Sequence, residues 1–363
     1  MVRNPLSRIA WRTAGATVGL LSRANRSLNS NPAFYKAIYS LHNSHEFSNI
    51  FEHEKMLADP VRVNTYAEAI QRAVKPGDVV VDLGTGSGIL AILAARQGAK
   101  VYAIDHSDFI HLAEENARRN GIENIRFIRT NSKNFAPAEK IDVLLHEQIG
   151  DDLFNENMVE NLLEMKGRLL KPEGKILPGR FHLYLEPVAM VPEFRVPFID
   201  EINIQGFDFR HLGAAGHSYR AKDYKYHWVE RQGVDFFLSE PEPVLTVDLN
   251  EMDEPSGIPA TIDVTRTVLR AGNLDGIQQY FGIDFDEQVA FDTSPFSPRT
   301  CWSNRIFRVP WRRCEVGDSI SYRINLSDLL RSETWSVDLL PSAVRPAAAL
   351  HTSRPPRPER SEG

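Results

Sequence analysis

Cysteine is nearly missing from this chain: of 363 residues, only Cys301 and Cys314 carry a thiol. Two cysteines form neither a disulfide framework nor a metal-ligand cluster, so the expectation is a reducing, cytoplasmic setting and no bound metal. Long apolar runs are missing too. No stretch approaches the ~20 residues that span a bilayer, so no membrane association is expected. Val18–Leu21, with arginines after it, is too short for the core of a secretory signal. Nor is there a basic excess. Lys and Arg number 42 against 48 Asp and Glu, a net charge of -6, which argues against a nucleic-acid partner. Acid is missing locally: none precedes Glu46, whereas Arg3, Arg8, Arg12, Arg23, Arg26 and Lys36 do. Such a start resembles an organelle transit peptide. The plainer expectation is a basic N-terminal arm over residues 1–50 that docks near an acidic site. Internal repeats are absent, and residues 341–363, rich in Pro, Arg, Ala and Ser, read as a disordered tail.

What is present is enough chain for two domains, each with its own core. From Asp78 to about Leu177, strand and helix signals alternate. Val79-Val80-Val81-Asp82-Leu83 is a continuous apolar run, as in a buried parallel strand. Helices are predicted over Ile89–Gln97, Asp108–Asn120 and Glu156–Leu170, with further strands over Lys100–Ile104, Ile125–Ile128 and Ile141–Leu145. This predicts a doubly wound, Rossmann-like α/β domain over residues 51–178. After Leu177-Pro178-Gly179, read as a hinge, short alternating runs take over, such as Phe181–Leu185, Ile262–Val268 and Ser319–Ile324. They predict an antiparallel, β-barrel-like domain over residues 179–340. Val191–Gly233 fits that pattern poorly, and its aromatics (Phe194, Phe198, Phe207 and Phe209) mark it as an excursion.

The first strand runs into Asp82-Leu83-Gly84-Thr85-Gly86-Ser87-Gly88. Glycines let a backbone turn sharply and approach a ligand. A glycine turn alone is weak evidence, since nucleotide, flavin and nicotinamide binders use similar ones. Here the spacing departs from the pyrophosphate fingerprint, and an acid stands first. That acid would repel a pyrophosphate and welcome a cationic amino-acid moiety. The second strand then delivers Asp105, placed to accept hydrogen bonds from both hydroxyls of a ribose. S-adenosylmethionine fits these features better than a dinucleotide.

The fourth strand delivers His146-Glu147-Gln148-Ile149-Gly150 at its carboxyl end, where ligands gather in open α/β sheets. Glu156 follows nine positions after Glu147. Taken singly, both read as solvated surface acids. Beside a sulfonium methyl donor, two carboxylates instead make a receptor for a planar guanidinium, which offers five N–H donors in a rigid fork.

These residues resemble the protein arginine N-methyltransferase family, and the resemblance covers most of the chain. Phe51–Arg62 is similar to the family's pre-domain segment. The resemblance implies that His53 and Arg62 contact the cofactor, with Arg62 on its carboxylate, alongside Asp82, Gly84, Gly86 and Asp105. It places adenine contacts at Asn131 and Ser132. Glu147 and Glu156 match the catalytic pair of the "double-E" loop, and Met56 and Met158 line the site. Phe291-Asp292-Thr293-Ser294-Pro295, then Thr300-Cys301-Trp302, is similar to the Thr-His-Trp loop, with Gly317-Asp318 beyond it. The excursion stands where the family carries a dimerisation arm, which implies a homodimer.

Three departures stand out. Asn43-Ser44-His45-Glu46-Phe47 occupies the place of a Tyr-Phe-x-x-Tyr segment, Cys301 that of a histidine, and Ser132 that of a glutamate. With Cys301, the family's pairing of that histidine to Asp59 cannot form. The leading expectation is methylation of a terminal guanidino nitrogen of arginine, whether free, in a dedicated peptide or in a protein. The altered acceptor surroundings favour a small or dedicated substrate. The alternatives are a class I methyltransferase for another small amine-type acceptor and a catalytically silent scaffold of the same fold.

Overall fold

A computed structural model describes residues 49–199, 201–212 and 226–341. The expectations for the basic arm, the Asn43–Phe47 departure, the tail and part of the excursion lie outside these residues. The described chain opens on helix α1 (Ile50–Leu57), capped by the Asn49 side chain, which accepts the Phe51 N–H at 3.0 Å. Helix α2 (Pro60–Ala73) follows. Asp59 caps it by accepting the Arg62 N–H at 3.0 Å, and Pro60 stands where no N–H is needed.

Five parallel strands come next: β1 (Val79–Leu83), β2 (Lys100–Asp105), β3 (Ile125–Arg129), β4 (Ile141–His146) and β5 (Leu170–Leu177). Helices α3 (Ile89–Arg96), α4 (Phe109–Arg119) and α5 (Met158–Leu169) lie between them in sequence. The sheet order is β3-β2-β1-β4-β5. Every residue of β1 is buried. Tyr66, Ala69 and Ile70 of α2 and Leu90, Ala91, Ala94 and Ala95 of α3 form one apolar cluster with Val80, Val101 and Val143 of the sheet. The register sets Leu83 level with Ile104 on one side and His146 on the other. The carboxyl ends of β1, β2 and β4 therefore open side by side at the point where strand order reverses, and Asp82, Asp105 and Glu147 arrive together there.

Most predicted elements appear within a residue or two of their expected ends. The last helix starts two residues later than expected. Asn157 adopts a left-handed backbone (φ 57°), so α5 begins at Met158 and Glu156 sits in the preceding turn, not on the helix.

Antiparallel strands follow: β6 (Arg180–Met190), β7 (Tyr226–Val229), β8 (Val234–Phe237), β9 (Leu245–Asp248), β10 (Thr261–Thr267), β11 (Gly272–Asp284), β12 (Ala290–Asp292), β13 (Asn304–Cys314), β14 (Ser319–Asn325) and β15 (Ser336–Leu339). The chain divides into two compact units. One holds the parallel sheet together with Leu245–Ile258 and Tyr280–Asn304, while the other comprises Tyr184–Val244, Pro259–Gln279 and the chain from Arg305 onward. Within the first unit, β9 pairs with the start of β6 and β12 with the end of β11. The second unit contains the β10-β14-β15 sheet. There Val264, Ile320, Tyr322 and Ile324 point inward at every second position, the alternation predicted for a half-buried antiparallel sheet. Among the described residues, no helix is long and apolar enough to cross a membrane.

Candidate active site

The glycine turn after β1 needs its glycines. Gly84, Gly86 and Gly88 hold φ values of +71°, +48° and +86°, a region that residues with a Cβ avoid. A Cβ on Gly86 would lie 2.7 Å from Cε1 of His53, whereas one on Gly84 would meet nothing within 4 Å. The backbone at Gly84 is thus open to a ligand. His53 of α1 is buried over the turn, with its ring stacked on Phe109 at 4.1 Å.

Asp82 is fully buried. Its Oδ2 accepts the Thr85 hydroxyl at 2.6 Å and the Ala91 N–H in the first turn of α3 at 3.0 Å. Its Oδ1 is buried with no hydrogen-bond partner among the described residues. Burial pushes the carboxyl up to about 6, against the pull of the Thr85 and Ala91 hydrogen bonds. An unfilled buried acceptor beside an open glycine backbone fits the ammonium end of an amino-acid ligand.

Asp105 is more committed than the sequence suggests. Oδ1 accepts both the N–H and the hydroxyl of Ser107, at 2.8 and 2.7 Å, and Oδ2 accepts the Gly86 N–H at 3.0 Å. A carboxylate offers about four lone-pair positions. One remains, so meeting two ribose hydroxyls requires Ser107 to give up its hydroxyl bond. Further along, Asn131 Oδ1 accepts the Asn134 N–H at 3.0 Å, and the Ser132 carbonyl accepts from Arg168 Nη2 at 2.8 Å. Asn131 is exposed and Ser132 half-buried.

On the acceptor side, Glu147 follows directly after β4. Its Oε2 accepts Arg62 Nη2 at 2.7 Å. Arg62 is buried on the first turn of α2, where Nη1 donates to the Met56 carbonyl at 3.0 Å and Nε is buried without a partner among the described residues. Burial raises the Glu147 carboxyl and Arg62 opposes that rise. Burial works against the Arg62 charge as well, but Glu147 overrides it and holds the guanidinium above its ordinary range. Glu156 is half-buried in the turn before α5, and Met158 is fully buried at the helix start.

Cys301 does not leave Asp59 idle. The Cys301 backbone N–H donates to Asp59 Oδ2 at 2.7 Å, so the junction made by a histidine side chain in the family is made here by main chain. Burial, reinforced by Glu147 and Asp59, drives the thiol up to about 12. It stays protonated at neutral pH and takes no proton from a substrate.

The loop from Glu147 to Asn157 is pinned by contacts that the sequence reading, although it names Trp302, does not give. Trp302 Nε1 donates to the Ile149 carbonyl at 2.7 Å while its ring stacks on Phe291, and the Ser303 N–H donates to Asp151 Oδ1 at 2.8 Å. The Tyr66 hydroxyl donates to the His146 carbonyl at 3.1 Å. His146 itself is buried, with Nε2 2.9 Å from the Pro178 carbonyl and Nδ1 facing the Gln148 N–H at 3.4 Å. These partners require the Nε2–H tautomer, and burial depresses the imidazole to about 4. His146 is therefore a neutral strut beneath Glu147. Sequence carries no signal for these contacts, because the partners lie 80 and 153 positions apart for Tyr66 and Trp302.

The family model for ribosomal protein L11 methyltransferase (PrmA) matches residues 65–178, from within α2 to just past β5. That match covers the α/β half alone. Protein arginine N-methyltransferase 6 of Danio rerio is 30% identical over 270 residues, covering 72% of this chain and 76% of that protein. The chain belongs to the protein arginine N-methyltransferase family. It is an enzyme that uses S-adenosylmethionine to methylate arginine. The fold of this arginine methyltransferase is shared with a Trypanosoma brucei PRMT1 enzyme-prozyme heterotetramer solved with AdoHcy, at a TM-score of 0.65 and 24% identity over 77% of this chain and 88% of that one. It is shared equally with Arabidopsis thaliana protein arginine methyltransferase 10, at a TM-score of 0.65 and 23% identity over 78% and 89%.

Proposed function

We infer that this methyltransferase binds its acceptor guanidinium between Glu147 and Glu156 and methylates a terminal guanidino nitrogen. The observation that carries this reading is the Arg62–Glu147 pair: Glu147 already holds one guanidinium at 2.7 Å in a largely dry setting. Bound S-adenosylmethionine supplies an electrophilic methyl group. Asp82 Oδ1 receives its ammonium, Arg62 its carboxylate, Asp105 its ribose and the Asn131–Ser132 turn its adenine. Gly84 and Gly86 keep the backbone clear, and His53 covers the turn.

Arginine is a poor nucleophile because its lone pairs are delocalised over a group that stays protonated, with a pKa of about 13.8. Two carboxylates draw positive charge toward the nitrogens they hold and leave electron density on the nitrogen facing the methyl group. The remainder is alignment for in-line displacement. The methylated guanidinium sheds one proton to a glutamate of the pair or to water, since the Cys301 thiol stays protonated. Met56, Met158 and Trp302 shape the walls.

The acceptor is a small or dedicated arginine substrate. The main-chain junction at Cys301 and the neutral Ser132 give a site that differs from the family pattern where the acceptor and adenine lie. The chain acts in the cytoplasm as a homodimer formed through the Val191–Gly233 arm, where Phe194, Phe207 and Phe209 are exposed. The test of acceptor class is cofactor turnover with free arginine, arginine peptides and a histone-like protein side by side. Preference for free arginine or a short peptide supports the reading, and turnover confined to the histone-like protein refutes it.

A further inference from the structure

Arg62 stands at the junction of the two half-sites, and its donors are divided unevenly. Nη2 donates to Glu147 and Nη1 to the Met56 carbonyl, whereas Nε is a buried donor with no acceptor among the described residues. The Arg62 and Glu147 side chains are only 8% and 14% exposed, so solvent screens their charges weakly. We propose that Arg62 couples the two substrates: the cofactor's carboxylate, taken up at Nε, offsets the Arg62 charge and raises the affinity of Glu147 for the acceptor guanidinium. This rests on the assignments of Glu147 to the acceptor and Arg62 to the cofactor made above.

The sign follows from counting charges. An approaching guanidinium meets Arg62 and Glu147 as a neutral pair, one member of which repels it. A second carboxylate on Arg62 makes the group a net anion and restores the attraction. Linkage makes the effect mutual, so an acceptor cation on Glu147 tightens cofactor binding by the same factor. A charge change at Glu147 must then be felt at the cofactor's carboxylate with no acceptor involved. Arg62 is a positioning residue here. It acts on the acceptor through Glu147.

Calorimetry on the full chain separates this from a fixed structural ion pair. Two probes are compared: S-adenosylhomocysteine, and 5′-methylthioadenosine, which keeps the nucleoside and thioether but lacks the amino-acid portion. The acceptor probe is whichever of free arginine or an arginine peptide turns over. Acceptor affinity is expected to be at least about fivefold higher with S-adenosylhomocysteine than with methylthioadenosine, within the usual range of site–site coupling. Glu147→Gln is expected to bind S-adenosylhomocysteine several-fold more tightly than the native chain and methylthioadenosine equally. Equal acceptor affinity with both nucleosides, or no tightening in Glu147→Gln, overturns the coupling. If Glu147→Gln binds the acceptor as well as the native chain does, the Glu147 assignment itself has failed. Loss of acceptor binding together with equal nucleoside effects sinks only the coupling. The nucleoside comparison uses the native chain and so does not depend on a variant folding.

Discussion

Asp82 should destabilise the protein that needs it. Its carboxyl is pushed from an ordinary 3.8 up to about 6. A folded-state acid of raised pKa holds a proton that the unfolded chain has released, so stability is lost as pH rises through the window between these values. At 1.36 kcal/mol per pH unit, the full loss is roughly 3 kcal/mol above pH 7, with about half of it present at pH 5. Asp82→Asn keeps an acceptor for Thr85 and Ala91 and removes the buried charge. In urea unfolding without cofactor, the variant should be more stable than the native chain by roughly 2–3 kcal/mol at pH 7.5 and by about half as much at pH 5. The same change costs function. One charged hydrogen bond to the ligand ammonium contributes about 1.5–3 kcal/mol, so S-adenosylhomocysteine should bind roughly 10- to 150-fold more weakly. In the native chain, cofactor affinity should fall about tenfold between pH 7 and pH 5, because Asp82 must ionise to bind. A variant that is no more stable at pH 7.5, or that keeps native cofactor affinity, refutes the assignment of a buried, ligand-facing carboxylate.

Asp105→Ala removes the remaining lone pair for ribose and the hold on the Gly86 N–H, and calorimetry should show S-adenosylhomocysteine bound about 10- to 100-fold more weakly. Native affinity in a folded variant refutes the ribose role. Cys301→Ser should keep most of the turnover, since the Asp59 junction uses the Cys301 backbone N–H. With the thiol held near 12, Cys301 should also alkylate far more slowly at pH 8 than a free thiol, as read by mass spectrometry. A large activity loss in the serine variant contradicts the idle-thiol reading. Light scattering at micromolar concentration should give a dimer, and a monomer counts against the arm.

The parallel half was legible because its chemistry is local. Val79–Leu83 is apolar except for Asp82 because it is buried on both faces, and the glycine turn, Asp105 and Glu147 each stand at the carboxyl end of a strand. β10 and β14 were legible by strict alternation, whereas β11 and β13 were not. Nearly all of β11 is buried, including Asp275, Gln278 and Gln279, and β13 buries Arg305, so neither strand alternates apolar with polar. Asp59-Pro60, a capping acid followed by a proline, is a local start signal for α2. Within the site, sequence gave the carboxylates but not their wiring. The partners Arg62 and Glu147 are 85 positions apart, and three of the Asp105 lone pairs are committed by the fold of the turn. Such pairings follow from tertiary packing and leave no local trace.

The most direct test of the central claim is turnover of arginine substrates by Glu147→Gln and Glu156→Gln, with cofactor binding measured in parallel. Glutamine keeps the shape but loses the charge, and turns part of its face into a donor opposed to the substrate's donors. Breaking one half of a desolvated ion pair costs about 3–5 kcal/mol, which amounts to roughly two to four decades in rate. Both variants are expected to bind S-adenosylhomocysteine and to lose turnover on that scale. Near-normal turnover by both would contradict the guanidinium assignment and move the acceptor site elsewhere.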